Sequence, residues 1–393
     1  MKKQLGSLFL VSVIDILGFG ILIPLVPYMG VRFNMAPQWI TMIMGSYSLC
    51  QFIAAPLWGR LSDRYGRRPI LMTSLAGACV SYLILGFAGN AWWLLLSRAL
   101  NGFMAGNISA AFAYASDVST PEKRAGALGL IGAAIGIGFS VGPAIGGVLA
   151  GDDLQTASFL LPAVVSAAFG LLALLLVAFM LPESNTVAMR AARHLDSEPG
   201  ALGLLLRRPL LRLIAGAALL VICAQSMLDS ILGLWALGKF GLGPRSLGLL
   251  IFSIACLAVL MQGALVRVLV PRLGESRLAA IGVSVFVAGL LIVASSARLP
   301  PTVIGLALCG IGMGAFAPSN SALASKQAAV HDRGVVMGTY QSSSSLARVI
   351  GPFASGPLYA LWSNAPFVAG ACVAFPAVWL IWRARAAGQV PGV

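Results

Sequence analysis

Twelve apolar stretches alternate with short polar segments along the chain, near residues 7–30, 38–58, 69–89, 91–115, 125–150, 157–181, 210–238, 246–266, 277–297, 299–324, 334–361 and 365–382. A helix needs roughly 20 apolar residues to cross a bilayer, and these stretches match that length. Strands of a membrane barrel would instead be segments of about ten residues alternating in polarity. Runs such as Phe159 to Leu181 are continuously apolar. The pattern predicts an all-α membrane protein with twelve transmembrane helices. Met1-Lys2-Lys3 before an apolar run imitates a secretory signal, but the run is too long, carries Asp15 and lacks a small-residue cleavage site. It reads as an uncleaved first span.

The polar segments orient the spans. Of the 26 lysines and arginines, Arg32, Lys239, Arg245 and Arg298 fall in one set of loops and Arg98 and Arg348 inside spans, while the other twenty lie in the opposite loops and the tails. The positive-inside rule makes that richer side, with both termini, cytoplasmic. The longest polar stretch splits the chain into an N-terminal six-helix bundle (1–181), a cytoplasmic linker (182–209) and a C-terminal six-helix bundle (210–393). The halves align at a shift of 209, where Ser116, Arg124, Gly129, Gly142, Pro143 and Gly147 meet Ser325, Arg333, Gly338, Gly351, Pro352 and Gly356. A same-direction repeat of six helices predicts two pseudo-symmetric bundles about an axis along the membrane normal, with a central path between them.

Composition narrows the class. The 393 residues are 59% hydrophobic and 10% charged, against about 45–50% apolar and about a quarter charged in soluble domains. A large soluble enzyme or a disordered chain is excluded. The net charge of +14 would suggest nucleic acid in a soluble protein, but here topology accounts for it and no nucleic-acid partner is expected. Cys50, Cys79, Cys223, Cys256, Cys309 and Cys372 lie in apolar stretches without CxxC spacing and read as small hydrophobes. His194 and His331 have no cysteine partners, so neither a zinc site nor a histidine-based triad is expected. Gly233 to Phe240 matches GxxxxGK, yet Phe240 replaces the hydroxyl residue that would ligate Mg²⁺.

The most specific motif is Gly59-Arg60-Leu61-Ser62-Asp63-Arg64-Tyr65-Gly66-Arg67-Arg68-Pro69, between the second and third spans. It resembles the cytoplasmic-loop signature of the major facilitator superfamily. Gly138 to Gly147 resembles the GxxxGPxxGG motif of drug:proton antiporters in that superfamily, Arg98-Ala99-Leu100-Asn101-Gly102 resembles their RxxxG motif, and Asp15 with Gly18, Pro24 and Pro27 resembles their first-helix pattern. Within that branch the nearest likeness is to tetracycline exporters. The chain departs from them at Ala258, where the resemblance would place a functional histidine, and at Gly77, Ser81 and Tyr82, where it would place an acidic partner. The resemblance implies a gate in the charged loop (Gly59, Asp63, Arg64, Gly66, Arg67, Arg68, with Asp117) that holds the outward-facing state. It also implies that Gly138, Gly142, Pro143, Gly146 and Gly147 seal the halves against leakage, and that Arg98 takes part in proton relay.

The residues carry readings of their own. Asp63 can meet an arginine or a helix N-terminus, and Arg67 a carboxylate such as Asp117, which would latch helix ends together. The matching second-half loop reads Arg272-Leu273-Gly274-Glu275, with Pro271 opposite Asp63, so the latch is expected to be asymmetric. Glycines 138, 142 and 146 recur every four residues on one helix face, where another backbone can approach; Pro143 adds a bend. Asp15 and Asp229 are the carboxylates inside spans, where a charge is costly enough to signal function, and they are the proton-coupling candidates with Arg98. A structural ion pair between Arg98 and Asp15 is the plainer alternative. Phe19, Tyr47, Gln51, Asn101, Asn107, Tyr114, Gln225, Trp235, Phe316, Asn320, Tyr340 and Gln341 are candidates to line the central cavity. A mostly apolar cavity with scattered hydrogen-bonding groups favours amphipathic or aromatic compounds.

The sequence thus points to a monomeric secondary transporter of the inner (plasma) membrane, not an enzyme. It would use no cofactor or metal, exchanging protons for small hydrophobic or amphipathic compounds by alternating access. A transporter of a specific metabolite, such as a sugar or siderophore, is the alternative. An intramembrane enzyme using Asp15 and Asp229 as an acid pair, or a receptor, ranks below both.

Overall fold

Prolines and close neighbours decide where these apolar runs stop being helical. The computed structural model describes residues 2–120, 123–185, 203, 208–262, 266–327 and 333–388. Arg190, Arg193, His194, Arg207 and His331, with most of the expected linker, lie outside the described residues. The first span is α1 (Lys2–Leu22) and α2 (Leu25–Arg32), broken at Pro24, the residue that caps α2; proline offers no N–H and clashes with the preceding turn. Then follow α3 (Pro37–Tyr65), α4 (Arg67–Gly86), α5 (Ala91–Phe103), α6 (Gly106–Asp117), α7 (Arg124–Ala150) and α8 (Leu160–Met180).

The break between α5 and α6 has no proline. It is held from outside: Trp58 Nε1 donates to the Phe103 carbonyl at 2.5 Å, and Ser74 Oγ donates to the carbonyl of Met104. Backbone freed inside a membrane protein needs such replacement partners.

The second half comprises α9 (Pro209–Phe240), α10 (Pro244–Leu260), α11 (Val266–Leu273), α12 (Glu275–Ser295), α13 (Leu299–Lys326), α14 (Arg333–Leu361), α15 (Ala365–Ala374) and α16 (Pro376–Gly388). Counting α1 with α2, α5 with α6, α10 with α11 and α15 with α16, these sixteen helices of the described residues supply the twelve expected spans. Nine runs among the described residues are long and apolar enough to cross a membrane unaided. The exceptions are the broken α5–α6, the 17-residue α10 with α11, and α14, which carries Gln341-Ser342-Ser343-Ser344-Ser345 and Arg348.

By packing, the chain divides into two compact units, Met1–Asp196 with Ala236–Phe252, and Ser197–Trp235 with Ser253–Val393. The stretch Ala236–Phe252 therefore packs with the first unit, although chain order places it in the second half. In the first unit α1 lies along α7 and α8, α4 along α5 and α8, and α3 along α5, around a core that includes Leu8, Leu75, Tyr114 and Val177. In the second, α12 lies along α13 so closely that a Cβ on Gly289 would stand 2.6 Å from the Gly305 carbonyl oxygen. Small residues permit such backbone contact where no hydrophobic effect drives helices together. Large apolar side chains cover the outside, Phe179 at 85% exposure among them, as a lipid-facing surface requires.

Candidate functional site

Asp15 of α1 is only 6% exposed. Its Oδ2 accepts a hydrogen bond from Nδ2 of Asn107, one residue into α6, so the α5–α6 break sets the partner's position. Asn107 Oδ1 is buried without a partner. Two small cavities meet at this pair. One, of about 10 Å³, is bounded by Leu8, Ser12, Leu75 and Ile131; the other, of about 20 Å³, by Phe19, Tyr47, Tyr82, Asn101 and Met104. Asp15, Ile16, Asn107 and Ile108 form the wall common to both. Volumes of this size hold roughly one water molecule each.

Several expected cavity residues gather here. Phe19 stacks on Tyr47 with centroids 4.7 Å apart, and Gln51 Nε2 donates to Tyr47 Oη at 3.4 Å. Asn101 Nδ2 donates to Ser81 Oγ at 2.7 Å. Arg98 is 3% exposed, lies near Tyr47 and Tyr82, and leaves Nε and Nη2 without acceptors. Among the described residues no ion pair joins it to Asp15. Tyr114 stands apart: it is fully buried and donates to the Pro182 carbonyl at 2.9 Å.

The second unit presents its carboxylate differently. Asp229 is exposed, and its Oδ1 accepts from Gln225 Nε2 at 2.6 Å, one turn earlier on α9. Arg348 and Gln341 of α14 are also exposed, and Ser226 Oγ donates to the Arg348 carbonyl at 3.3 Å. Three expected cavity residues are instead enclosed between helices. Trp235 donates to Asn364 Oδ1 at 2.8 Å and packs edge-on against Phe367. Phe316 is buried completely. Asn320 Nδ2 donates to the Ile214 carbonyl at 3.2 Å and Tyr340 Oη at 3.4 Å.

The charged motif forms a joint between α3 and α4. Gly66 takes φ 114°, left-handed backbone that side chains other than glycine rarely adopt. The turn places the Arg67 side chain among three acceptors: Nη2 meets Asp63 at 2.7 Å, Nε meets Asp117 at 3.0 Å, and Nη1 donates to Ser62 Oγ at 2.9 Å. The backbone N–H groups of Arg67 and Arg68 donate to the Glu183 carboxylate at 2.8 and 3.1 Å, so an anion sits on the α4 N-terminus. Asn185 closes the joint through the Asp63 carbonyl at 3.0 Å. Arg68 reaches the Ala178 carbonyl and Arg64 lies over the Tyr65 ring. A side chain at Gly59 would meet open space, so packing does not explain that glycine. Glu183 and Asn185 were hidden within the expected linker; their signal is a carboxylate and an amide directly after a span.

The corresponding joint between α11 and α12 keeps the backbone but not the charges. Gly274 has φ 77°, and Lys326 Nζ meets Glu275 Oε1 at 2.5 Å. At the repeat shift, Lys326 answers Asp117, and Glu275 answers Arg67 one residue out of register. The ion pair recurs with its polarity reversed.

The glycine motif of α7 shows two faces. A Cβ at Gly138 would lie 2.7 Å from Ile16 Cβ, at Gly142 2.7 Å from Gly20 Cα, and at Gly146 2.8 Å from the Ile21 carbonyl carbon, all on α1. Gly147 instead touches Pro244 and Arg245, and Pro143 touches Gly248. Beyond the helix end, Asp152 accepts from Ser246 N at 3.0 Å and Oγ at 2.7 Å, while Tyr28 Oη donates to the Leu242 carbonyl at 2.8 Å. The three-glycine stripe thus binds α7 to the helix that carries Asp15.

The chain resembles known proteins along almost its whole length. The chain is 29% identical over 379 residues to a class C tetracycline resistance protein of Escherichia coli, covering 92% of this chain and 91% of that one. It is 27% identical over 381 residues to multidrug resistance protein 2 of Bacillus subtilis, covering 94% and 93%. The crystal structure of the human organic anion transporter MFSD10 (TETRAN) has the same fold, with a TM-score of 0.70 at 23% identity over 97% of this chain and 99% of that one. The family model described as Major Facilitator Superfamily matches residues 8–297 and 217–392. With twelve spans and matches reaching across both halves, the chain is a multi-pass membrane transporter belonging to the Major Facilitator Superfamily.

Proposed function

We propose that the protein is a proton-driven exporter of small hydrophobic or amphipathic compounds, drugs and other xenobiotics included. The observation that carries this reading is Asp15, a carboxylate buried within a membrane span at the wall between two small cavities. Ionisable groups at such depth are costly, and they mark ion pathways where they persist. The relatives named as tetracycline and multidrug resistance proteins support the substrate class. In this reading Asp15 takes a proton from one side and releases it to the other as the two bundles of the chain rock in alternating access. The Arg67 cluster is the cytoplasmic gate, and Asp229 with Arg98 assists coupling. The protein works as a monomer in the inner membrane, with both termini cytoplasmic, and needs no cofactor beyond the proton gradient.

The test is dye efflux from proteoliposomes under an imposed pH gradient, with and without an uncoupler. Asp15→Asn is expected to abolish gradient-driven efflux while the protein remains inserted, and Asp229→Asn to reduce it less. Undiminished efflux in both single variants and in the double would refute the proton assignment.

A further inference from the structure

Asn107 has its donor engaged and its acceptor idle. Its Nδ2 donates to Asp15, while Oδ1 is buried with no partner. An ionised carboxylate only accepts hydrogen bonds, whereas a carboxylic acid also carries an O–H that needs an acceptor. A buried donor left without one is expensive. We infer that Asn107 is a two-way positioning residue for Asp15, donating to the carboxylate when Asp15 is charged and, turned over about its Cβ–Cγ bond, accepting from the acid when Asp15 is protonated. This rests on the proposal that Asp15 carries the transported proton.

The geometry favours such a turn. It exchanges NH₂ for oxygen nearly in place, and the cavities on either side of the pair leave room for it. Ser12, Tyr47 and Tyr82 carry hydroxyls in the same cavities, but Asn107 is the side chain already bonded to Asp15. Arg98 has only donors, the Asn101 amide already donates to Ser81, and Cys79 Sγ points to the Ala167 carbonyl. The titratable and charged side chains around Asp15 are Tyr47 of α3, Cys79 and Tyr82 of α4, and Arg98 of α5. On α6 itself Tyr114 and Asp117 lie about two turns or more beyond Asn107; α8 has no titratable residue and α7 only Arg124, at its start. The proton arrives as hydronium from one cavity, forms an O–H bond at a carboxylate oxygen and leaves to water in the other. Asn107 accompanies the change without exchanging a proton.

The experiment compares wild type, Asn107→Leu, Asn107→Thr and Asp15→Asn in proteoliposomes across a series of pH values. Leucine keeps the size but can neither donate nor accept; threonine can do both. Asn107→Leu is expected to lower gradient-driven efflux about tenfold or more and to displace its pH profile, while Asn107→Thr stays near wild type in both. In parallel, pH-difference infrared spectra of protein carrying ¹³C in the asparagine side-chain amide should show a band that disappears in Asn107→Leu and in Asp15→Asn. Wild-type rate and profile in Asn107→Leu, beside loss in Asp15→Asn, overturns the Asn107 inference alone. Equal loss in the leucine and threonine variants, with the infrared band retained in Asn107→Leu, overturns it too, by making the residue merely structural. Full efflux in Asp15→Asn removes the proton assignment and the inference together.

Discussion

The α3–α4 and α11–α12 joints begin from the same backbone device, a glycine with positive φ between two helices, and build different electrostatics on it. At Gly66 the Arg67 and Asp117 side chains are 4% and 3% exposed, Arg67 also meets Asp63 and Ser62, and the Glu183 carboxylate sits on the helix end. At Gly274 the pair is Glu275 with Lys326, at 21% and 59% exposure. Burial is what separates them. A buried ion pair is costly to break because the surviving charge is stranded, whereas an exposed pair is screened and worth little. The first joint is therefore committed to its polarity. The second is free to carry either sign, and it carries the opposite one.

The largest test of this contrast is Arg67→Ala. It removes the buried cation facing Asp117 and is expected to cost about 3–5 kcal/mol, seen as a drop in thermal unfolding midpoint in detergent together with loss of transport. An unchanged midpoint would remove the distinction between the joints. Reciprocal charge swaps sharpen it. Arg67→Glu with Asp117→Lys should not recover, since the new glutamate would face Asp63 and Glu183, which already surround the position. Glu275→Arg with Lys326→Asp should keep most transport, losing about 0.3–1 kcal/mol for a cation placed on the α12 N-terminus. Equal outcomes for the two swaps would count against the asymmetry. The smallest effect belongs to Lys326→Ala, expected within about 1 kcal/mol and vanishing near 1 M salt, where screening acts over roughly 3 Å. A larger loss in the same unfolding measurement would mean that this pair also is structurally committed.

Spans and the meeting of Arg67 with Asp63 and Asp117 were legible in the sequence, whereas the break at Pro24 was not, the pattern there reading as one unbroken first span. The bilayer imposes continuous apolar length, and a charged turn between two such lengths has few partners within reach. The α5–α6 break was not legible, because nothing local in Asn101 to Gly106 forbids helix; the partners that stabilise it, Trp58 and Ser74, come from α3 and α4. The places of Trp235, Phe316 and Asn320 were missed for a related reason. In helices apolar on nearly every face, the 3.6-residue period no longer tells which side meets a neighbour, so an aromatic or amide group reads alike in a cavity wall and in a helix seam. The reversed Glu275–Lys326 pair was within reach of the repeat alignment, but only by comparing positions for pairing rather than identity.

The packing of Ala236–Phe252 with the first unit bears on how freely the two halves of the chain can vary. The stretch belongs to the second half by chain order and packs with the first. Gly147 lies in the first half of the chain and Pro244 in the second, yet they touch. The two sides of this seam cannot vary independently: a bulkier residue at Gly147 must be answered at Pro244 or Arg245. The end of α7 and the start of α10 should therefore accept substitutions only in step, even where the rest of each half tolerates them singly.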